Sequence, residues 1–144
     1  MLLGSALYIG GAERVIANLA NYIDRKRFKV TICHLKERGH IGDELARAGH
    51  DVVGVARDPR GWRRYLSYRA LAEIVRARGI ELIHTHTHYA LTDAALCRWT
   101  RSTGARLVHT FHFGNYPNLP RRYRLMEHIG ARAADRLIAV GNDQ

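Results

Sequence analysis

Runs of aliphatic and β-branched residues alternate along the sequence with stretches of helical periodicity, and no other feature restricts the fold as strongly. The sequence predicts strands over residues 28–35, 51–56, 80–85, 105–111 and 136–141. It predicts helices over residues 11–23, 41–48, 68–78, 91–103 and 121–134. Apolar strands separated by helices are typical of a parallel sheet that is covered on both faces. We therefore predict a single α/β domain with a doubly wound, mostly parallel, Rossmann-like sheet.

Three of the predicted helices are followed directly by glycine. Gly49, Gly79 and Gly104 each stand where the C-terminus of a helix favours a residue in the left-handed conformation. We therefore expect these three glycines to end their helices.

The predicted sheet has few residues at both ends of the chain. Only residues 1–3 precede Gly4 and Ser5, although a strand is needed before the turn at Gly10 and Gly11. The chain also stops at residue 144, soon after the last predicted strand. In a doubly wound sheet the first strand lies centrally. We therefore expect a clipped first strand in the middle of the sheet.

The composition excludes several classes of protein. Of the 144 residues, 47% are hydrophobic, which is enough for one core. No apolar run approaches the roughly 20 residues of a membrane span, and residues 1–3 are too few for the apolar region of a signal peptide. Two cysteines supply neither a disulfide framework nor a four-ligand zinc site. A cytoplasmic protein is expected, with peripheral contact to the inner face of the membrane left open.

The chain is strongly basic. Its 23 Lys and Arg residues against 13 Asp and Glu give a net charge of +10, and all but Lys26, Lys29 and Lys36 of the basic residues are arginine. An arginine surplus favours an anionic partner, because guanidinium groups bind phosphates and carboxylates bidentately. A coding bias toward solvated arginines explains it equally well. Arginines interleave with aromatic residues over residues 57–69 and 121–124, which suits an anionic membrane, a phosphate-bearing molecule, nucleic acid or a plain solvated surface.

A glycine pair opens the first predicted helix. Gly10 and Gly11 let the backbone approach a ligand closely, and the free amides and dipole of a helix N-terminus favour a phosphate there. The spacing matches neither G-x-G-x-x-G nor the phosphate loop that ends in Gly-Lys-Ser/Thr. A glycine turn that serves chain geometry alone is an equally good interpretation.

Three histidines alternate at the end of the strand predicted over residues 80–85. His84, His86 and His88 share one face if the strand continues through them, and imidazoles on one face could bind a metal ion. Three such positions along one strand carry their side chains too far apart to ligate one ion unless the backbone turns, so we favour a polar rim at the carboxyl end of the strand, where open α/β sheets bind ligands. His88 and Tyr89 then lie at the start of a helix, within reach of a substrate.

Another histidine follows the next predicted strand. His112 leads into a loop that contains Gly114, Asn115 and Pro117. A histidine at this position could orient a substrate hydroxyl or act as a general base, since its ordinary pKa lies near neutrality. A histidine that is satisfied by backbone carbonyls is the alternative.

Four segments together resemble the N-terminal, acceptor-side domain of family 4 retaining glycosyltransferases. They are GGAERVIANLA, IHTHTHYA, VHTFHFGNYP and AADRLIAVG, and the resemblance runs in register from about Leu7 to Asn142. It implies the GT-B architecture, in which two Rossmann-like domains face each other across a cleft. The 144 residues then form the N-terminal domain, and the C-terminal, donor-binding domain is absent from them.

The resemblance also implies roles for individual residues. Gly10 and Gly11 match the loop whose amides lie against the donor diphosphate, and His112 matches the catalytic histidine beside the reacting sugar. Acceptor-binding positions are implied at Arg14, His88, Tyr89 and Asn115. The family transfers a sugar from a nucleotide-sugar donor with retention of configuration, commonly without a metal, so neither cofactor nor metal ion is expected.

The implied partners are a nucleotide sugar, a sugar or lipid-linked acceptor, the missing C-terminal domain and an anionic membrane surface. Nucleic acid is not expected as a partner of such an enzyme. Without the second domain no donor pocket can close, so we expect the 144-residue chain to be inactive alone. The alternative function is a non-catalytic basic α/β module that binds an anionic membrane or nucleic acid.

Overall fold

The computed structural model describes residues 1–55, 67–112 and 120–140, in which strands and helices alternate as predicted. The strands are β1 (Leu2–Gly4), β2 (Thr31–His34), β3 (Asp51–Gly54), β4 (Leu82–Thr85), β5 (Arg106–Phe111) and β6 (Arg136–Ala139). The helices are α1 (Gly11–Tyr22), α2 (Gly39–Arg47), α3 (Ser67–Ala77), α4 (His88–Trp99) and α5 (Arg121–Ala131).

All neighbouring strands pair in parallel, in the order β3-β2-β1-β4-β5-β6. This is the doubly wound order, so the predicted fold class is confirmed. β1 is short and central, as expected: Leu2 is in register with Ile32 on one side and with His84 on the other. The direction in which strands are added reverses between β1 and β4, and open α/β sheets bind ligands at the carboxyl edge of such a switch point.

The sheet separates two hydrophobic clusters. Leu2 and Ile32 pack with residues of α1 and α2 on one side, which we call the α1 face. Leu3, Ile83 and Leu107 pack with α3 and α4 on the other side, the α4 face. Successive strand residues point to opposite faces, so Leu2 and Leu3 belong to different clusters.

The described helices cover the α1 face mainly over β1–β3. Further along that face Leu82 and Ile138 are each 43% exposed, and all four residues of β6 are exposed. No helix in the described part of the chain is long and apolar enough to cross a membrane.

Two of the three predicted glycine caps are confirmed. Gly49 and Gly79 adopt φ values of +83° and +59°, each two positions after the last residue of its helix. The prediction for Gly104 is wrong: α4 ends at Trp99, and Arg101 is the left-handed residue, with φ +52°. The Ser102 amide donates to the Cys97 carbonyl at 2.9 Å, and this closure requires the left-handed residue two positions after the last helical one.

We predict that Arg101→Gly stabilises the chain. A side chain at positive φ costs roughly 1–2 kcal/mol, and the added entropy of glycine in the unfolded chain cancels about half of the gain. Thermal unfolding should therefore show a Tm about 3 °C higher. The matched control is Gly79→Ala, which introduces a side chain at the same kind of position and should lower the Tm by a similar amount. A Tm for Arg101→Gly at or below that of the parent chain would contradict the assignment of this cap.

Candidate active site at the carboxyl edge of the sheet

Three predicted site segments follow three neighbouring parallel strands. The loop that reaches Gly10 and Gly11 follows β1, His86 follows β4, and His112 follows β5. The carboxyl ends of parallel strands meet at one edge of a sheet, so these segments lie at the same edge, beside the switch point between β1 and β4.

The glycine turn opens α1, as predicted. Gly10 is the N-cap, with extended backbone and no side-chain cap, and Gly11 is the first helical residue. A Cβ on Gly10 would lie 2.4 Å from an oxygen of Glu13, whereas one on Gly11 would meet nothing within 4 Å. The Glu13 carboxylate lies in the first turn of α1, where it complements the positive end of the helix dipole. Arg14 reaches Glu44 of α2 across 4.0 Å in an exposed pair, which contributes little to stability.

The loop before this turn is held by the N-terminus of α2. The Leu7 carbonyl accepts hydrogen bonds from the amides of Ile41 at 3.0 Å and Gly42 at 3.4 Å. Gly39 makes this approach possible, because it has φ +59° and a Cβ there would lie 2.4 Å from the Leu7 oxygen. The Tyr8 hydroxyl adds a hydrogen bond to the Glu37 carboxylate. Sequence reasoning missed Gly39, whose only signal was its position between a strand and a predicted helix.

His84, His86 and His112 form a histidine cluster on the α1 face. The His86 and His112 rings stack with centroids 5.1 Å apart, and the His84 and His86 centroids are 4.2 Å apart. His86 Nδ1 lies 2.9 Å from His112 Nε2, and His84 Nε2 lies 2.7 Å from the Thr110 hydroxyl. The three rings are therefore linked to one another and to β5.

Burial keeps the histidine cluster neutral. Desolvation, reinforced by the neighbouring imidazoles, lowers the pKa of His84 to about 4 and that of His86 to about 2. The pKa of His112 is lowered by burial and then by His109. Within the described ranges, no three His, Cys, Asp or Glu side chains are arranged to hold a metal ion.

His88 does not share a face with the other two histidines of its run. The condition for that arrangement was a continuing strand, but β4 ends at Thr85 and Thr87 caps α4, accepting a hydrogen bond from the Ala90 amide at 3.3 Å. The predicted helix start at residue 91 is therefore three residues late. His88 lies in the first turn of α4 instead, at the start of a helix as the sequence predicted.

His88, Tyr89 and Tyr123 form an aromatic cluster at the same edge. The His88 ring lies 4.3 Å from the Tyr89 ring and 4.6 Å from the Tyr123 ring, and neither His88 nitrogen has a hydrogen-bond partner among the described residues. The ammonium of Lys36 faces Tyr89 at 4.3 Å, and the guanidinium of Arg122 faces Tyr123 at 4.7 Å. Sequence reasoning grouped His88 with Tyr89 but missed Tyr123 and Lys36, which reach these rings from other segments.

A buried polar chain ties β4 and β5 to α5 on the opposite face. His109 Nδ1 lies 3.1 Å from the Thr85 carbonyl and 2.9 Å from the Thr85 hydroxyl. A carbonyl only accepts, so this nitrogen carries a proton. His109 Nε2 faces Glu127 at 3.4 Å, and both side chains are 1% exposed. Sequence reasoning missed this chain, because its members lie 18 and 24 residues apart.

Some predicted residues lie outside the described ranges. Asn115 is one of them, as are residues 57–66 of the basic aromatic stretch. The second basic segment, residues 121–124, is the first turn of α5; it contributes Tyr123 to the aromatic cluster and Arg122, whose guanidinium faces the Tyr123 ring.

Comparison with known families identifies one match that spans most of the chain. The family model described as Glycosyltransferase Family 4 matches residues 9–144. A comparison with curated proteins finds no significant match.

Solved structures share the fold. HepE of Anabaena in complex with UDP matches with a TM-score of 0.73 and 18% identity, over 94% of this chain and 36% of HepE. HepE with UDP and glucose matches with a TM-score of 0.65 and 20% identity, over 94% of this chain and 37% of HepE. A glycosyltransferase from Rickettsia africae matches with a TM-score of 0.65 and 19% identity, over 98% of this chain and 37% of that protein. The chain thus spans slightly more than a third of these relatives.

We predict that Gly39→Ala is far more damaging than an ordinary loss of a glycine cap. The new Cβ would meet the backbone of Leu7, which cannot rotate away, in addition to the cost of positive φ. We expect a loss of about 3 kcal/mol or more in urea unfolding, and faster amide exchange at Ile41 and Gly42. The control Gly49→Ala has positive φ but open space around it, and should cost about 1 kcal/mol. Equal losses in the two variants would show that the contact with Leu7 does not hold the loop.

We also predict that the chain loses stability between pH 7 and pH 5.5. Unfolded histidine titrates near 6.5, and the pKa of His86 in the folded chain is about 2. The unfolded state therefore takes up protons first, and the stability present above pH 6.5 falls as the pH drops. His86 alone should account for about 1 kcal/mol of this loss. Asp135 does not act in this window, because the Leu107 amide lowers the pKa of its carboxyl.

Urea unfolding at several pH values measures this slope. The variant His86→Asn removes the titrating ring, so its unfolding free energy should depend less on pH than that of the parent chain. Equal slopes for the two proteins would show that His86 does not cause the pH dependence.

Proposed function

The chain belongs to glycosyltransferase family 4, and we propose that it is the N-terminal, acceptor-side domain of a retaining glycosyltransferase with the GT-B architecture. The observation that carries this proposal is the position of the glycine turn, the histidine cluster and the aromatic cluster at one edge of the sheet, beside the switch point. The donor is a nucleotide sugar, and the binding of UDP by HepE supports that class of donor.

In this proposal α1 stabilises the departing diphosphate. Gly10 and Gly11 present backbone amides at the N-terminus of a helix of 12 residues, where the dipole favours negative charge. Charge develops on the leaving group as the sugar acquires oxocarbenium character, so fixed donors at this position favour the transition state over the bound donor. The loop that carries them is braced by the hydrogen bonds between Leu7 and α2.

His112, which follows β5 at the same edge of the sheet, contacts the transferred sugar. It is neutral at physiological pH, since burial lowers its pKa, and a neutral imidazole forms hydrogen bonds with hydroxyl groups without adding charge. His88 and Tyr89, in the first turn of α4, contribute to the acceptor side. Arg14, which is exposed, and Asn115 are assigned to the same side by the resemblance alone.

The donor half of the pocket comes from a second domain. This chain spans 36% of HepE, and a nucleotide needs walls on more sides than one sheet edge provides. We propose that the complete enzyme closes two such domains around its substrates, and that the 144 residues alone do not turn over a nucleotide sugar.

Sugar transfer by the protein that joins this chain to its second domain tests the proposal. We expect turnover with a UDP- or GDP-linked sugar and an anomeric configuration that NMR shows to be retained. His112→Ala should lower kcat/KM about 100-fold or more, whereas His128→Ala, an exposed histidine on α5, should leave it unchanged. Inversion of configuration would refute the retaining mechanism, and full activity of His112→Ala would refute the role of that histidine.

A further inference from the structure

His86 and His112 are the two members of the histidine cluster that share a hydrogen bond. His86 Nδ1 and His112 Nε2 are 2.9 Å apart. His86 is only 2% exposed, and its other nitrogen, Nε2, is buried and has no hydrogen-bond partner among the residues that the structure describes. The two rings are neutral, since burial and the adjacent imidazoles lower the pKa of each. One ring must therefore donate the shared hydrogen atom and the other must accept it.

The His86 nitrogen that lacks a described partner decides which of the two rings donates the shared hydrogen bond. If His112 donated from Nε2, the neutral His86 ring would carry its own proton on Nε2, where a buried N–H would have no acceptor in the described part of the chain. If His86 donates from Nδ1, its Nε2 carries only a lone pair. An unpaired buried donor is rarer and more costly than an unpaired acceptor, so the second arrangement is favoured.

We propose that His86 is a positioning residue that fixes His112 in the tautomer with its proton on Nδ1, so that His112 acts on its substrate as a hydrogen-bond donor and not as a base. This inference rests on the proposed contact between His112 and the transferred sugar. With Nε2 occupied by His86, the remaining ring nitrogen of His112 offers an N–H. That group binds a hydroxyl or anionic oxygen and has no lone pair with which to accept a proton.

His84 restrains the donor ring from its other side. Its ring packs 4.2 Å from that of His86, and its Nε2 is held by the Thr110 hydroxyl at 2.7 Å. Thr110 and His84 belong to adjacent strands of the sheet. His86 is therefore held in place by packing and by a neighbour that is itself anchored, which is the arrangement needed to keep a second ring in one orientation.

Long-range ¹H–¹⁵N correlation spectra of the histidine rings test the tautomer directly in the 144-residue chain, without any substrate. We expect His112 and His86 both to carry their protons on Nδ1. The variant His86→Phe keeps the packing but removes the donor, and should shift His112 toward the Nε2 tautomer. The conservative variant His86→Asn can place an amide N–H near the position of Nδ1 and should retain the parent tautomer. A proton on His112 Nε2 in the parent chain would overturn the inference.

Kinetics of the complete enzyme separate this inference from the proposed function. His86→Phe should lower kcat about 10-fold or more with little change in the KM for the donor, and His86→Asn should recover most of the loss. Absence of sugar transfer by the parent enzyme would refute the proposed function, while the ring spectra would still decide the tautomer. Equal activity of His86→Phe and the parent enzyme would refute the positioning role.

Discussion

The hydrogen-bonded ladder on β1 holds the two halves of the sheet together. Leu2 is paired with β2 on one side and β4 on the other, so three residues connect β2 and β3 to β4, β5 and β6. On the β4 side the Met1 carbonyl accepts a hydrogen bond from the His84 amide at 2.8 Å, and the Leu3 carbonyl accepts one from the His86 amide at 3.1 Å. The position of His86 relative to the glycine turn therefore depends directly on this strand.

Side chains alternate along β4 and β5, so the residues of the candidate site and those of the buried polar chain lie on opposite faces of the sheet. His84, His86, Thr110 and His112 point to the partly open α1 face, where the histidine cluster lies. The intervening residues Thr85 and His109 point to the α4 face and bond to each other and to Glu127 of α5. A shift of one residue in the register of either strand would exchange the two sets. The buried polar chain thus fixes the register that the candidate site requires.

The fold could be predicted because it depends on local patterns, whereas much of the site depends on distant contacts. Strand and helix periodicity predicted β2–β6 and α1–α5, while β1 was expected only from the doubly wound order. Both bounds of α4 were predicted wrongly, because a threonine cap starts the helix earlier and the left-handed Arg101 follows its earlier end. The rim residues His86, His88 and His112 could be placed because each follows a strand. The pairing of His109 with Glu127 and the approach of Gly39 to Leu7 join separate segments, and spacing along the sequence carries no signal for either.

The electrostatics of this edge indicate how the proposed reaction divides between two domains. Burial lowers the pKa of His84 and His86, so the histidine cluster is neutral and offers oriented hydrogen bonds but no positive charge. Lys36 and Arg122, the cations of the aromatic cluster, face the tyrosine rings. Glu13 adds a negative charge in the first turn of α1, which weakens the attraction between the helix dipole and a diphosphate. In the proposed reaction backbone amides are the main stabilising groups that this chain supplies, so most of the positive charge for the leaving diphosphate would come from the proposed second domain.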